Sequence, residues 1–321
     1  MTQKVAEAQE PRAVPTDPRR PAGLFGSAFS IFIALLWGGL PVSIKSSLKY
    51  GEPLQIGWMR FALGGLVTLA YMVIRRESFS LKRSEVRPVL IVSLLFSVQL
   101  VFMNVGQDLT TAGHATAIGT TMPIWAATIA QIMIPSEKMS RWQVLAIALS
   151  YAGVLAVVFG DDAGTTEGVS LLGDILSLIS AILLGLRIVL ISNYAQNVSE
   201  SKLMMGQQVI GSALFLVASY ALESPTYTLE SEFWIALAYQ GLIIAGFGFL
   251  ANAWLVKKYL PSTVTFFYFV MPVAGVTLSW LILGEDPGRG LLAGMALVGA
   301  GAFVYGGEAY FKAMRQSRQD A

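Results

Sequence analysis

Residues 111–160 read TAGHATAIGTTMPIWAATIAQIMIPSEKMSRWQVLAIALSYAGVLAVVFG, and residues 260–307 read LPSTVTFFYFVMPVAGVTLSWLILGEDPGRGLLAGMALVGAGAFVYGG. Pro123 answers to Pro272, Glu137 to Glu285, Arg141 to Arg289 and Gly153 to Gly301, at separations of 149, 148, 148 and 148 residues. Chance matches one Pro or one Gly. Four in order, with a slip of one residue in a turn, mark an internal duplication. Both stretches are almost free of charge outside their turns, and an apolar helix of about 20 residues is what a bilayer core requires.

The rest of the chain extends this reading. Of 321 residues, 55% are hydrophobic and only 13% charged, about half the charge of a soluble domain. The 31 glycines show no period, the net charge is +2 and there is no cysteine, which excludes collagenous, disordered and disulfide-stapled classes. Without Cys there are no thiolate nucleophiles and no Cys-ligated zinc or iron–sulfur clusters. A single His leaves no His-cluster metal site. We expect an all-α polytopic membrane protein with neither cofactor nor metal.

Uncharged runs define ten expected transmembrane segments, near 24–47, 53–75, 88–108, 111–134, 141–159, 172–195, 203–222, 233–256, 261–283 and 289–308. The opening 1–22 is polar and Pro-containing, and is read as a disordered cytoplasmic segment. It has no short apolar stretch ending in a small-residue cleavage site, so the first helix is read as retained. Residues 309–321 form a cytoplasmic tail. With the N-terminus inside, 17 of the 22 Lys and Arg fall in inner segments and three (Lys45, Lys49, Arg289) in outer ones. That bias places both termini in the cytoplasm of a multi-pass inner-membrane protein.

The duplication spans five helices, giving repeats at 23–160 and 161–308. Five is odd, so the second copy enters the membrane from the opposite side. Inverted repeats around a central cavity are the architecture of secondary transporters.

Trp37-Gly38-Gly39-Leu40-Pro41, Arg60, the Pro123 to Glu137 and Pro272 to Glu285 units, and Gly153 and Gly301 resemble the EamA-type branch of the drug/metabolite transporter superfamily. The likeness covers about residues 24–308 and is nearest to bacterial exporters of amino acids and related metabolites. It implies a basket of ten helices whose cavity is lined mainly by helices 1, 3, 4, 6, 8 and 9, with helices 5 and 10 as scaffold. The chain departs from it in helix 6, where Leu184-Gly185-Leu186-Arg187 stands in place of an aromatic pair.

Helical spacing supplies candidate lining residues: His114, Thr121, Trp125 and Thr128 in helix 4; Gly241, Ala245, Gly248 and Asn252 in helix 8; Ser177, Ser180, Arg187 and Tyr194 in helix 6; Ser93, Ser97 and Asn104 in helix 3; Gln208, Ser212 and Ser219 in helix 7. Polar groups in hydrocarbon are costly, so such stripes face protein or a watery cavity; interhelical packing is the alternative. Aromatic candidates are Trp37, Trp125, Tyr239, Trp254, Phe267 and Tyr268. Pro41, Gly38, Gly39, Pro123 and Pro272 are read as hinges flanking the cavity, since Pro removes a helical hydrogen bond and Gly weakens its turn. Pro41 also counts as a lining residue.

Arg60 and Arg187 lie at depth, where each costs roughly 2.5–3.5 kcal/mol on the insertion scale. Arg60 reads as a structural arginine. Arg187 is offered as a contact for a substrate carboxylate, with Asn252 or Tyr239 receiving an amine; a structural role is the alternative. Histidine is the side-chain type whose unperturbed pKa lies between pH 5 and 8, and we expect His114 to be dispensable. The pair Gly290 and Gly294 is expected to pack within the chain, leaving a functional monomer. There is no Walker sequence and no nucleic-acid motif, so the expected partners are a small-molecule substrate and the lipid bilayer. The reading is a secondary exporter of neutral or aromatic amino acids and similar metabolites by alternating access. Efflux of hydrophobic cations is the rival, and an intramembrane enzyme or receptor is the alternative of a different class.

Overall fold

A computed structural model describes Arg19 and residues 22–119, 121–133, 140–160, 169–225, 227–284, 288–297, 299–301, 303, 304 and 307. Helices dominate them: α1 (Leu24–Gly38), α2 (Leu40–Leu48), α3 (Pro53–Ile74), α4 (Arg83–Leu109), α5 (Ala112–Gly119), α6 (Met122–Met133), α7 (Arg141–Gly160), α8 (Leu171–Tyr194), α9 (Glu200–Leu222), α10 (Ser231–Ala238), α11 (Phe249–Lys258), α12 (Pro261–Phe266) and α13 (Val270–Leu278). A π-helical stretch, Tyr239–Gly248, joins α10 to α11, so that Ser231–Lys258 is one continuous span. Six spans have the length and apolarity to cross a bilayer: Leu24–Leu48, Pro53–Ile74, Arg83–Leu109, Leu171–Tyr194, Glu200–Leu222 and Ser231–Lys258. Shorter apolar helices follow at Ala117–Met133, Val273–Leu283 and Arg289–Gly301. Large apolar side chains such as Leu66, Val73, Val98, Val217 and Ile235 point outward, as an exterior in contact with lipid acyl chains requires.

Besides 233–256 with its π-helical stretch, three predicted segments are not continuous α-helices: 261–283 is divided into α12 and α13 by a 3-10 turn at Phe267–Phe269. Segment 24–47 breaks at Gly39, and α2 starts at Leu40 with Pro41 in its first turn. Pro41 has no N–H for the Trp37 carbonyl, and the Leu36 carbonyl one residue earlier takes the Tyr239 hydroxyl as donor. Segment 111–134 is split into α5 and α6, with the interruption just ahead of Pro123. Thr121 Oγ satisfies the Ile118 carbonyl there, at 2.7 Å. Pro272 lies within α13, but its side chain falls outside the described residues, as do Glu137 and Glu285. One boundary also moves: α4 starts at Arg83, five residues before the expected 88, because the Glu85 carboxylate accepts the Lys82 N–H at 2.8 Å and closes its first turn.

The two halves interlock in a repeated pattern. Helix α4 packs on α8 and α9, while the corresponding Ser231–Lys258 span packs on α1, α2 and α3; α3 itself packs along α9. The closest crossings are duplicated at the level of single residues. A Cβ on Gly185 of α8 would lie 2.8 Å from the Ala126 nitrogen of α6, and one on Gly38 of α1 would lie 2.7 Å from the Ala274 Cβ of α13. Gly38 and Gly185 stand 147 residues apart, Ala126 and Ala274 148. The sequence repeat is thus also a repeat of contacts. Phe61, Phe96 and Phe215 fill the interior between α3, α4 and α9, with Phe61 centred 4.9 Å from Phe96 and 5.4 Å from Phe215.

Candidate solute cavity

The break at Gly39 turns Trp37, Leu40 and Pro41 toward the space between the halves. They meet Arg60 of α3; Gln99, Leu100, Met103 and Gln107 of α4; Ala115 and Gly119 of α5; and Met122 of α6. The other half contributes Ser177, Ser180, Ala181, Leu184 and Arg187 of α8, Ile244, Phe249, and Met271 of α13. Together they surround a cavity of about 90 Å³ within a wider cleft of about 870 Å³ that includes open space. Most of the lining is apolar, with a few convergent polar groups, the usual character of a small-molecule site.

Both deep arginines are in that lining. Each is 2% exposed. The Arg187 guanidinium lies 4.3 Å from the Phe96 ring centre and 4.7 Å from that of Phe249, and Nη1 donates to Gln99 Oε1 at 3.2 Å. Gln99 Nε2 in turn donates to Ser180 Oγ at 2.8 Å. The rings offer their negative faces to a desolvated cation, which lessens the cost of burying it. Arg60 Nη2 donates to Asn104 Oδ1 at 3.0 Å, and Asn104 Nδ2 donates to the Pro53 carbonyl at 2.9 Å. Several polar atoms around the cavity have no partner: Arg60 Nε and Nη1, Arg187 Nε, Trp37 Nε1, Ser177 Oγ and Gln107 Oε1. Among the described lining residues there is no carboxylate. Buried polar groups are nearly always paired, so this concentration of unpaired donors around two cations is what an acceptor-rich, negatively charged solute group would complete.

The predicted site residues divide sharply. Trp37, Pro41 and Arg187 line the cavity, joined by Ser177 and Ser180 of the helix 6 stripe. Arg60, read from sequence as structural, also lines it, with Nη2 held by Asn104. The others stand behind the lining or apart from it. Asn104 holds Arg60 in place. Tyr268 donates to Asn252 and lies 5.3 Å from Trp37 between ring centres, so the two support Trp37 from behind. Tyr239 donates to the Leu36 carbonyl, and neither Asn252 nor Tyr239 is in the cavity lining. Trp254 packs against Phe25, Phe29 and Tyr259, with the Lys258 ammonium 4.9 Å from its ring. Phe267 is half-buried outside the lining. Thr121 and Trp125 bond each other, Nε1 to Oγ1 at 3.1 Å. His114 Nδ1 meets Asp174 Oδ2 at 3.1 Å, and the other Asp174 oxygen accepts from Thr110 at 2.7 Å. Gln99, Met103 and Gln107 were missed. Their i, i+4, i+8 spacing was available, but the chosen face of α4 was the one carrying small polar residues. Ser97 on that face satisfies the Ser93 carbonyl of its own helix.

Polar contacts between the halves close both ends of the assembly. At the inner end predicted from charge, Lys202 meets Glu85 at 2.8 Å and Ser201 donates to Glu77. At the other end Lys49 and Tyr50 both reach Glu232 at 2.9 Å, and hydrogen bonding to that carboxylate pushes the Tyr50 phenol above its ordinary pKa. Glu223 caps α3 from the second half, accepting from the backbone N–H groups of Leu54 and Gln55 at 2.7 and 3.0 Å.

Such a fold defines a class: a multi-pass helical membrane protein of two repeated halves enclosing a solute-sized cavity. The chain belongs to the EamA-like transporter family, whose model matches residues 24–159 and again 171–307. It is 23% identical to the Bacillus subtilis (strain 168) transporter YoaV over 85% of this chain and 94% of that one, and 27% identical to YvbV of the same organism over 83% and 87%. An S-adenosylmethionine/S-adenosylhomocysteine transporter of Chlamydia muridarum is 24% identical over 84% of this chain and 89% of its own. A solved crystal structure superimposes with a TM-score of 0.68 at 18% identity, covering 88% of this chain and 98% of that one, which shows a shared fold. Family membership and transporter-named relatives point to a transporter of small molecules.

Proposed function

We propose that the protein is a secondary exporter of small organic solutes bearing a carboxylate, neutral and aromatic amino acids among them, across the inner membrane by alternating access. Arg187 carries the reading: a fully buried cation with an unpaired Nε, held by two aromatic rings at the cavity wall. It can meet a carboxylate while Leu100, Met103, Leu184 and Met271 receive an apolar body and Gln107 Oε1 accepts from a polar end. The duplicated Gly38–Ala274 and Gly185–Ala126 crossings support two inverted five-helix repeats, ten spans in all, whose exchange of conformations would open the cavity to either side. On that topology both termini are cytoplasmic, and a cavity lined by Gln107 and Ser177 would lie in the outer half of the membrane. The rival efflux of hydrophobic cations is disfavoured by two positive charges in the lining.

Counterflow into proteoliposomes with labelled threonine, methionine and phenylalanine, beside a quaternary ammonium dye, tests this. Amino-acid flux above empty liposomes is the expected result. Movement of the dye alone would overturn the amino-acid reading, and no flux of any solute would overturn transport itself.

A further inference from the structure

A single carboxylate contact leaves one observation unused. The cavity holds two cations, and Arg60 keeps two unpaired donor nitrogens where Arg187 keeps one. Both are positioned by the same rigid element, since their partners Gln99 and Asn104 are on α4. Five residues of helix separate those partners, a rise of roughly 7.5 Å along α4. Unpaired acceptors around the cavity, Gln107 Oε1 and Ser177 Oγ, are fewer than the unpaired donors of Arg60, Arg187 and Trp37.

We propose that, within the transport reading on which this rests, the preferred solutes are organic dianions, with one acidic group at Arg187 and the second at Arg60. A short dicarboxylate, or an amino acid whose amine has been acylated and whose side chain is acidic, fits that chemistry. Each acidic group can accept donors that are now unpaired, and the pair neutralises both buried charges. Arg60 stands on α3 and Arg187 on α8, one in each half of the chain. A dianion would therefore tie the halves together, so that recognition and the movement of the halves are linked.

The test uses the purified full-length protein, titrated calorimetrically with adipate and with its monoamide, adipamate, which keeps the length and removes one charge. Phenylalanine counterflow is measured in the same preparation. Adipate is expected to bind at least about tenfold more tightly than adipamate, the worth of one charge-assisted contact. In Arg60→Gln and in the more conservative Arg60→Lys, the preference is expected to shrink and to persist respectively; the wild-type comparison stands alone should Arg60→Gln fail to fold. Equal binding of the two, or binding of neither while phenylalanine still moves, would overturn the dianion inference and leave transport standing. Selective adipate binding with no flux of any solute would establish the dianion site and overturn transport instead.

Discussion

Replacing Arg187 with Met removes the cation while keeping most of the side chain's volume and its contacts with Phe96 and Phe249, because a thioether also sits well against aromatic rings. Gln99 Oε1, now 3.2 Å from Nη1, loses its donor, which costs about 1–3 kcal/mol in a buried site. Against that, desolvation of a buried guanidinium, several kcal/mol in general, no longer has to be met. The folded protein is therefore expected to lose no more than about 1–2 kcal/mol, these opposing effects taken together. Solute binding loses a charge-assisted hydrogen bond of about 1.5–3 kcal/mol. At 1.4 kcal/mol per decade, KM for phenylalanine rises about 10- to 150-fold. Initial-rate counterflow over a range of concentrations measures it, and a thermal melt in detergent checks the fold. An unchanged KM in a normally melting Arg187→Met protein would refute the assignment of Arg187 to the solute.

Gly185→Ala and Gly38→Ala place a methyl under 3.0 Å from Ala126 and Ala274; each is expected to lower stability by about 1–3 kcal/mol, as overpacking does, and thermal melts showing no loss at either site would deny the close crossings. Glu223→Ala leaves the Leu54 and Gln55 N–H groups of α3 without their acceptors and should cost about 0.5–2 kcal/mol, the range for a lost helix cap, read by the same melts. His114→Gln keeps a donor for Asp174, and His114 is not itself in the cavity lining, so its flux is expected to remain near wild type; complete loss in a stably folded variant would show that His114 is indispensable.

Helix positions were legible in the sequence because charge and hydrocarbon exclude each other, so uncharged runs marked the six membrane-length spans within a few residues. Helix faces were less so. The helix 8 stripe of Gly241, Ala245, Gly248 and Asn252 assumed 3.6 residues per turn, but Tyr239–Gly248 is π-helical. Each wider turn holds an extra residue and rotates all that follows. Gly241 consequently abuts Leu63, Gly248 abuts the Trp37 indole, and Asn252 turns to Tyr268, while Ile244 and Phe249 line the cavity. No periodicity in the chain announces that turn. The place of Arg60 in the lining was hidden for another reason. Its charge was visible, but the orientation that brings it to the cavity depends on Asn104, far away in sequence.

Because the chain has no cysteine, single cysteines report access without background, and one such measurement addresses alternating access most directly. Ser177→Cys, in sealed vesicles of known orientation, is treated with a membrane-impermeant maleimide, with and without saturating phenylalanine. The account predicts that Ser177→Cys reacts from the outer face and that saturating solute changes its rate. Reaction of Ser177→Cys from the cytoplasmic face only, or a rate indifferent to solute, would contradict it.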